Sequence, residues 1–359
     1  MKHFRYLLLL VAALWCGTFL TSCNNEDDKP VFPEEKEKAF DMSGFAKGAD
    51  VSWLTEMENS GKLFYDSLGK QRDCLELLRE LGMNSIRLRV WVNPGEDVLG
   101  WCDKNDVLIK AWRAQKLGFR IMVDFHYSDS WADPGKQKIP AAWTDHSVEA
   151  LKKNVADHTT EVLTLLKNNG IDVEWVQVGN ETHAGMLFDT GNVNKADGMA
   201  NFAQMIQSGY DAVKTVYPEA KVIVHLDQGQ NASLYNRIFD GLKENGAKWD
   251  VIGMSLYPNV MTDDGKDDDW KAVNDACIAN MKALIEKYNT PVMVCEIGIN
   301  WNYTEAEQFF MDFMGKARSV NQCLGVFTWE PECYGGWKGY HKGMFTDKGT
   351  PTTAFNAFK

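Results

Sequence analysis

The sequence has no two cysteines spaced as a CxxC pair and no cysteine–histidine spacing of a zinc site, although it holds 8 Cys and 7 His. It has no glycine-rich phosphate fingerprint, and no period of 20–50 residues that would indicate a solenoid. It also lacks an apolar run of the ~20 residues that a membrane-crossing helix needs. Positive charge is in deficit: 38 Lys and Arg stand against 50 Asp and Glu, for a net charge of −12. That balance argues against a nucleic-acid partner, whose phosphates demand a basic face, and it tolerates a neutral ligand. Aromatic residues, by contrast, are plentiful, with 13 Trp among them.

The N-terminus is set apart from the rest. MKHFRY is a basic start, and Leu7 to Leu20 is an apolar stretch of 14 residues, the length of a secretory leader's core. It closes on Leu20-Thr21-Ser22-Cys23, which resembles a bacterial lipobox. The expectation is that residues 1–22 are removed as a lipoprotein signal peptide and that Cys23 carries the lipid. Several acyl chains hold a protein durably at a membrane where one is marginal. Residues 23–42 are charged, contain Pro30 and Pro33, and have too little apolar surface to fold, so they read as a flexible acidic tether. Acidic residues just behind a lipidated Cys resemble an export tag for the outer cell surface. The chain is therefore expected to be an outer-membrane lipoprotein facing the exterior, the alternative being a periplasm-facing protein. Residues 43–359 remain for a single domain.

Eight short, β-branched runs recur along that domain. They are GADVSWL (48–54), NSIRLRVWV (84–92), FRIMVDFHYSD (119–129), VEWVQVGNE (173–181), KVIVHLDQG (221–229), WDVIGMSLYP (249–258), TPVMVCEIGIN (290–300) and CLGVFTWEP (323–331). Between them lie segments whose apolar residues repeat every three to four positions, several ending at glycines such as Gly82, Gly118 and Gly170. Strands rich in Val and Ile suit a parallel sheet buried on both faces. Eight alternations of strand and helix predict an α/β fold, a single (β/α)8 TIM barrel. Two adjacent doubly wound sheets would compete, but no composition break supports them.

Each run ends in polar or aromatic residues, and in such a barrel the strand C-termini share one face. That gathers Asp50, Ser52, Arg87, Arg89, Asp124, His126, Asn180, Glu181, His225, Asp227, Tyr257, Glu296, Trp329 and Glu330. Glu181 and Glu296 stand out because each follows an apolar strand, the fourth and the seventh, across the barrel from one another. One carboxyl is suited to protonate a leaving oxygen and the other to attack a sugar carbon. A gap of ~5–5.5 Å would mean retention and a wider one inversion. A lone strand-end Glu is more often a salt-bridge partner; two facing each other are not. Asn180 is expected to hold a sugar 2-hydroxyl. Tyr257 and Arg89 are expected to keep Glu296 ionised, Arg89 being preferred to Arg87 as nearer the tip. His126, Asp124, His225 and Asp227 are further substrate contacts, a structural role for His126 being an even alternative. Trp91, Trp131 and Trp329 supply stacking faces, with Trp53, Trp301 and Trp337 as further candidates. His225 and Asp227 lack a third partner for a metal. The acidic loop TDDGKDDD (262–269) reads as a solvated charge run rather than a calcium site, so no cofactor is required.

Taken together, GADVSWL, RLRVWVNPG, DFHYSDSWADPGKQ, VQVGNET, HLD and FTWEP resemble the arabinogalactan endo-β-1,4-galactanases of glycoside hydrolase family 53, over nearly the whole chain from about Phe45. The long motif DFHYSDSWADPGKQ is distinctive, whereas GNE alone marks only the wider clan of retaining barrel glycosidases. The resemblance implies Glu181 as acid/base, Glu296 as nucleophile, retention, and internal cleavage of β-1,4-galactan side chains of pectin into short galacto-oligosaccharides by a monomer. Ile297 follows Glu296 where many members have Thr. Between Ile297 and Gln308 only Glu305 and Glu307 could serve the calcium loop that bacterial relatives often carry. A surface glycan-binding lipoprotein without catalysis, or a related β-mannanase or β-glucanase, are the competing readings.

Overall fold

The computed structural model describes residues 40–95 and 98–359. The expectations for the leader, the lipidated Cys23 and all but the last residues of the tether lie outside them. A compact unit runs Phe40–Lys359. It starts slightly before the expected boundary at residue 43: the Phe40 ring lies 4.5 Å from the Arg79 guanidinium, and Met42 packs against the core.

All eight expected strands form. They are β1 (Ala46–Asp50), β2 (Ser85–Val90), β3 (Arg120–Phe125), β4 (Val173–Val178), β5 (Lys221–Leu226), β6 (Val251–Leu256), β7 (Val292–Ile297) and β8 (Cys323–Trp329). Every neighbouring pair is parallel, and β1 pairs with both β2 and β8, so the sheet closes. The outer layer is α1 (Cys74–Glu80), α2 (Lys104–Lys116), α3 (Val148–Asn168), α4 (Gly198–Val216), α5 (Ala232–Glu244), α6 (Trp270–Tyr288) and α7 (Ala306–Ser319). After β8 the equivalent place is taken by a 3-10 turn, Thr353–Phe358. This is a TIM barrel. Asp73, Asp103, Ser147, Asn231 and Asp269 cap five of the helices by accepting hydrogen bonds from first-turn N–H groups. Asn231 opens the sequon-like triplet Asn231-Ala232-Ser233, and its side chain is thereby occupied in holding α5.

Outward-facing strand residues and the helices form the main core. Inside the barrel, a separate apolar cluster that includes Met122, Trp175, Ile223, Met293, Cys295 and Phe327 fills the interior. A Cβ at Gly48 would lie 2.1 Å from the Phe327 ring, so only glycine admits that ring to the axis. Toward the strand C-termini the inward residues turn polar: Asp50, Arg87, Asp124, Gln177, His225 and Ser255 are all at most 1% exposed.

One irregularity matters for the site. Between β6 and β7 the register slips, so that Met254 pairs with Val294 but Ser255 with Glu296. The extra residue is Cys295, and it packs inside the barrel. Glu296, its immediate successor, also reaches the interior, where it meets Arg87. This β-bulge lets two consecutive residues face inward.

Six cysteines, Cys74, Cys102, Cys277, Cys295, Cys323 and Cys333, are buried free thiols. Among the described residues no helix is long and apolar enough to cross a membrane.

Candidate active site

A cleft of about 350 Å³ opens at the C-terminal ends of the strands, with Glu181, Glu296, Tyr257, Asn180, His126, Trp131 and Trp329 in its wall. A larger cavity of about 560 Å³, lined by Trp143, Asp157 and Glu161 among others, holds none of these strand-end groups. The carboxyl oxygens of Glu181 and Glu296 and a ring nitrogen of His225 lie within 4.8 Å of one another. That spacing is shorter than the ~6.5 Å or more that separates the carboxyls of an inverting pair.

The two carboxyls have different surroundings. Glu296 Oε1 is 2.9 Å from Arg87 Nη2, and its Oε2 accepts a hydrogen bond from the Tyr257 hydroxyl at 2.9 Å. Glu181 receives only the Ser255 hydroxyl, at 2.8 Å. Burial raises both above the usual carboxylate range. Glu181 is raised further by the nearby Glu296, whereas Arg87 and Tyr257 work against the rise at Glu296. The surroundings thus favour the charged form at Glu296 over that at Glu181, the order that a nucleophile and an acid require.

Arg87 organises the floor. It contacts Asp50 at 2.6 Å, Asp124 at 2.8 Å and Asn180 Oδ1 at 2.9 Å, besides Glu296. Burial alone would raise Asp124, but Arg87 and His126 outweigh it and hold its carboxyl low. His126 accepts from the Trp91 indole N–H at 3.3 Å and the Ala132 N–H at 3.0 Å through Nδ1, so its Nε2 donates to Asp124, at 3.1 Å. Glu181 adopts φ 47, a left-handed conformation, directly after the strand and Gly179. A non-glycine residue held there is strained, a frequent property of functional positions.

The sequence profile of glycosyl hydrolase family 53 matches residues 46–310. This chain belongs to that family. An endo-β-1,4-galactanase of Bacillus subtilis is 31% identical over 316 residues, covering 80% of this chain and 70% of its own. A probable arabinogalactan endo-β-1,4-galactanase A of Neosartorya fischeri is 34% identical, over 70% of this chain and 68% of its own. A solved structure of a fungal β-1,4-galactanase superposes with a TM-score of 0.79 at 26% identity, over 88% of this chain and 99% of that one.

Within this family-53 site, five expected substrate contacts stand elsewhere. Arg89 does not meet Glu296. It is 1% exposed, pairs with Glu330, and lies among the Trp53, Trp91 and Trp131 rings at 4.3–5.2 Å. Arg87, one inward position deeper, reaches Glu296 because its long side chain rises along the barrel axis. Trp91, Asp124 and His225 are at most 1% exposed and support the cleft from beneath. Asp227 sits beside the cleft but is held by His183 at 2.5 Å and by Gln228. Asn180 lines the cleft with its Oδ1 already taken by Arg87 and its Nδ2 donating to Ala132 O. The acidic loop turns Asp267 to Thr262, Asp268 to Asn259 and Asp269 to the cap of α6.

Several participants escaped the sequence reading. Ser255 and Gln177 carried a signal: each is a polar residue on the inward face of an otherwise apolar strand. Tyr340 and Lys342, also in the cleft wall, come from the glycine-rich segment after β8, where no periodicity guides a reading.

Proposed function

We infer that this chain is an endo-acting β-1,4-galactanase that hydrolyses galactan with retention of configuration. The observation that carries the reading is the pair of carboxyls within 4.8 Å, with Glu296 held by Arg87 and Tyr257 and Glu181 beside the Ser255 hydroxyl. Retaining glycosidases use a gap of ~5–5.5 Å, and inverting ones leave at least ~6.5 Å for a water. Glu296 attacks the anomeric carbon while Glu181 gives its proton to the departing glycosidic oxygen. The carbon–oxygen bond breaks and a glycosyl ester forms on Glu296. Glu181, now ionised, takes a proton from water, whose oxygen displaces Glu296 and regenerates both groups. Trp131 and Trp329 in the cleft wall offer indole faces for the sugar's C–H surface.

Galactan as the polymer follows the activity of the galactanases to which the chain is similar. The test is oligosaccharide release from potato galactan beside mannan and a cellulose derivative, with the first product's anomer read by NMR. Rapid release from galactan with a β-anomer first is expected. Binding without release from any polymer would instead indicate a non-catalytic glycan receptor, and preference for mannan or cellulose a related hydrolase.

The leader motif supports lipidation at Cys23 and display of a monomer on the outer membrane, facing outward. Palmitate labelling lost in Cys23→Ala and release by protease shaving of intact cells test the anchor and its side. Turnover is proposed to require no cofactor, so EDTA should leave the rate unchanged.

A further inference from the structure

Glu181 must serve as acid in one half of the cycle and as base in the other, a demand that rests on the retaining reading above. Behind it stand two residues, His225 and Ser255, that connect the Glu181 carboxyl to the floor of the cleft. We propose that His225 and Ser255 form a positioning relay whose direction is set by Arg87, so that one hydroxyl donor is always aimed at the Glu181 carboxyl.

The direction follows from counting donors. Gln177 has its amide orientation fixed, because its Oε1 accepts from Arg87 Nε and Nη2 at 3.2 and 3.1 Å. Its Nε2 is therefore the atom 2.9 Å from His225 Nδ1. The Glu181 backbone N–H also points at Nδ1, at 3.4 Å. Asn180 Oδ1 lies 3.1 Å from the same nitrogen, but it is already supplied by Arg87 at 2.9 Å, and the other Gln177 Nε2 proton goes to the Asp124 carboxylate at 2.5 Å. Nδ1 thus faces two donors and a satisfied acceptor, and it carries the lone pair. Burial, reinforced by Arg87, keeps the ring neutral, so its one proton is on Nε2. That N–H donates to Ser255 Oγ at 2.8 Å. The serine's own proton is left for Glu181 Oε1, at 2.8 Å.

This donor favours the ionised form of Glu181. Acting the other way are burial, Glu296 on β7 and Asp227 beyond β5; Arg87 on β2 also favours ionisation, less strongly than the serine. Tyr257 on β6 and Tyr235 on α5 also face this region, and both remain neutral phenols. Asp124 and His126 on β3 flank His225 from its far side. The relay gives the basic form of Glu181 a fixed partner in the second half-reaction without adding a second charge.

The test is the pH profile of kcat/KM on galactan. Ser255→Ala removes the donor and His225→Leu removes what orients it. Each should move the basic limb to higher pH, leave the acidic limb in place, and lower kcat on the order of tenfold, as losing a hydrogen bond to a charged group does. Ser255→Thr and His225→Gln, which retain an O–H and an N–H at these places, should return the basic limb to its original position. A basic limb unmoved in Ser255→Ala, or moved equally in Ser255→Thr, overturns the relay. Should His225→Leu fail to fold, the two serine variants decide alone. Glu181→Ala with and without azide separates the two levels of inference. Azide rescue supports the acid/base reading whatever the serine variants show, whereas near-normal turnover without azide overturns that reading and the relay together.

Discussion

Arg87 Nη2 lies 2.9 Å from Glu296 Oε1, and the same guanidinium is 2.6 Å from Asp50 and 2.8 Å from Asp124. Three carboxylates share one buried cation. A lysine cannot reproduce that fork, since it offers a point charge in place of planar, spread donors. Arg87→Lys should lower kcat by roughly a hundredfold or more, the loss of two to three charged hydrogen bonds around the nucleophile. Because Arg87 holds down the rise that burial imposes on Glu296, its loss raises the pH at which Glu296 ionises. The acidic limb of the rate profile should therefore move upward, as a kcat/KM titration would read. An unmoved acidic limb would separate Arg87 from Glu296.

Removing the nucleophile itself gives a cleaner outcome. Glu296→Gln keeps size and shape, so galacto-oligosaccharide binding by calorimetry should persist while turnover falls by about 10⁴-fold or more. Near-normal rates would assign the attack elsewhere. Tyr257→Phe deletes only the 2.9 Å hydroxyl contact. It should reduce kcat on the order of tenfold with little change in KM.

Trp329 packs against Tyr340 at 4.7 Å, Trp53 at 5.2 Å and Trp131 at 5.9 Å between ring centres, which fixes its plane in the cleft wall. Trp329→Ala should lower kcat/KM on galactan by about 10–100-fold, equivalent to the ~1.5–3 kcal/mol of an aromatic contact surface. Steady-state kinetics on polymer and on oligosaccharides of increasing length would read the loss. An unchanged kcat/KM would place the sugar on another face.

Glu332 gives a stability prediction. It is fully buried, and a Glu330 carboxyl oxygen lies within 4.8 Å of its own. Burial, then Glu330, raises its pKa well above the ordinary 4.5. The folded chain consequently binds more protons than the unfolded chain as pH rises past about 4.5, and stability is lost over that rise. Glu332→Gln should melt above the parent at pH 8 and close to it at pH 4. A lower melting temperature at pH 8 would mean that the charged form is stabilised by its surroundings.

The barrel was legible because eight β-branched runs alternate with helical periods, and that pattern has few architectures open to it. Glu181 and Glu296 stood out in the sequence because two strand-end carboxyls face each other across the barrel, whereas a lone one is more often a salt-bridge partner, as Glu330 is for Arg89. The partner of Glu296 was misread for a geometric reason: proximity to the strand tip favoured Arg89, but height in a barrel is set by side-chain reach as well as by residue number. Arg89 instead stands against Glu330 and three indoles, contacts brought together from strands and loops distant in sequence. Trp91, Asp124 and His225 were placed in the right region but at the wrong depth, which no alternation pattern encodes. Ser255 and Gln177 had a readable mark, polar side chains in apolar strands, that went unused.

The slip at Cys295 carries a consequence for how such scaffolds diverge. In an unbroken β7, alternation would aim residue 296 at the surrounding helices, because 293 and 295 already point at the axis. Straightening the strand there without shortening it would leave the staves joined and the ring intact, yet swing the attacking group out of the chamber. Catalytic and silent descendants of one ancestor could thus differ in the register of one strand, with every other feature of the sugar-holding mouth preserved.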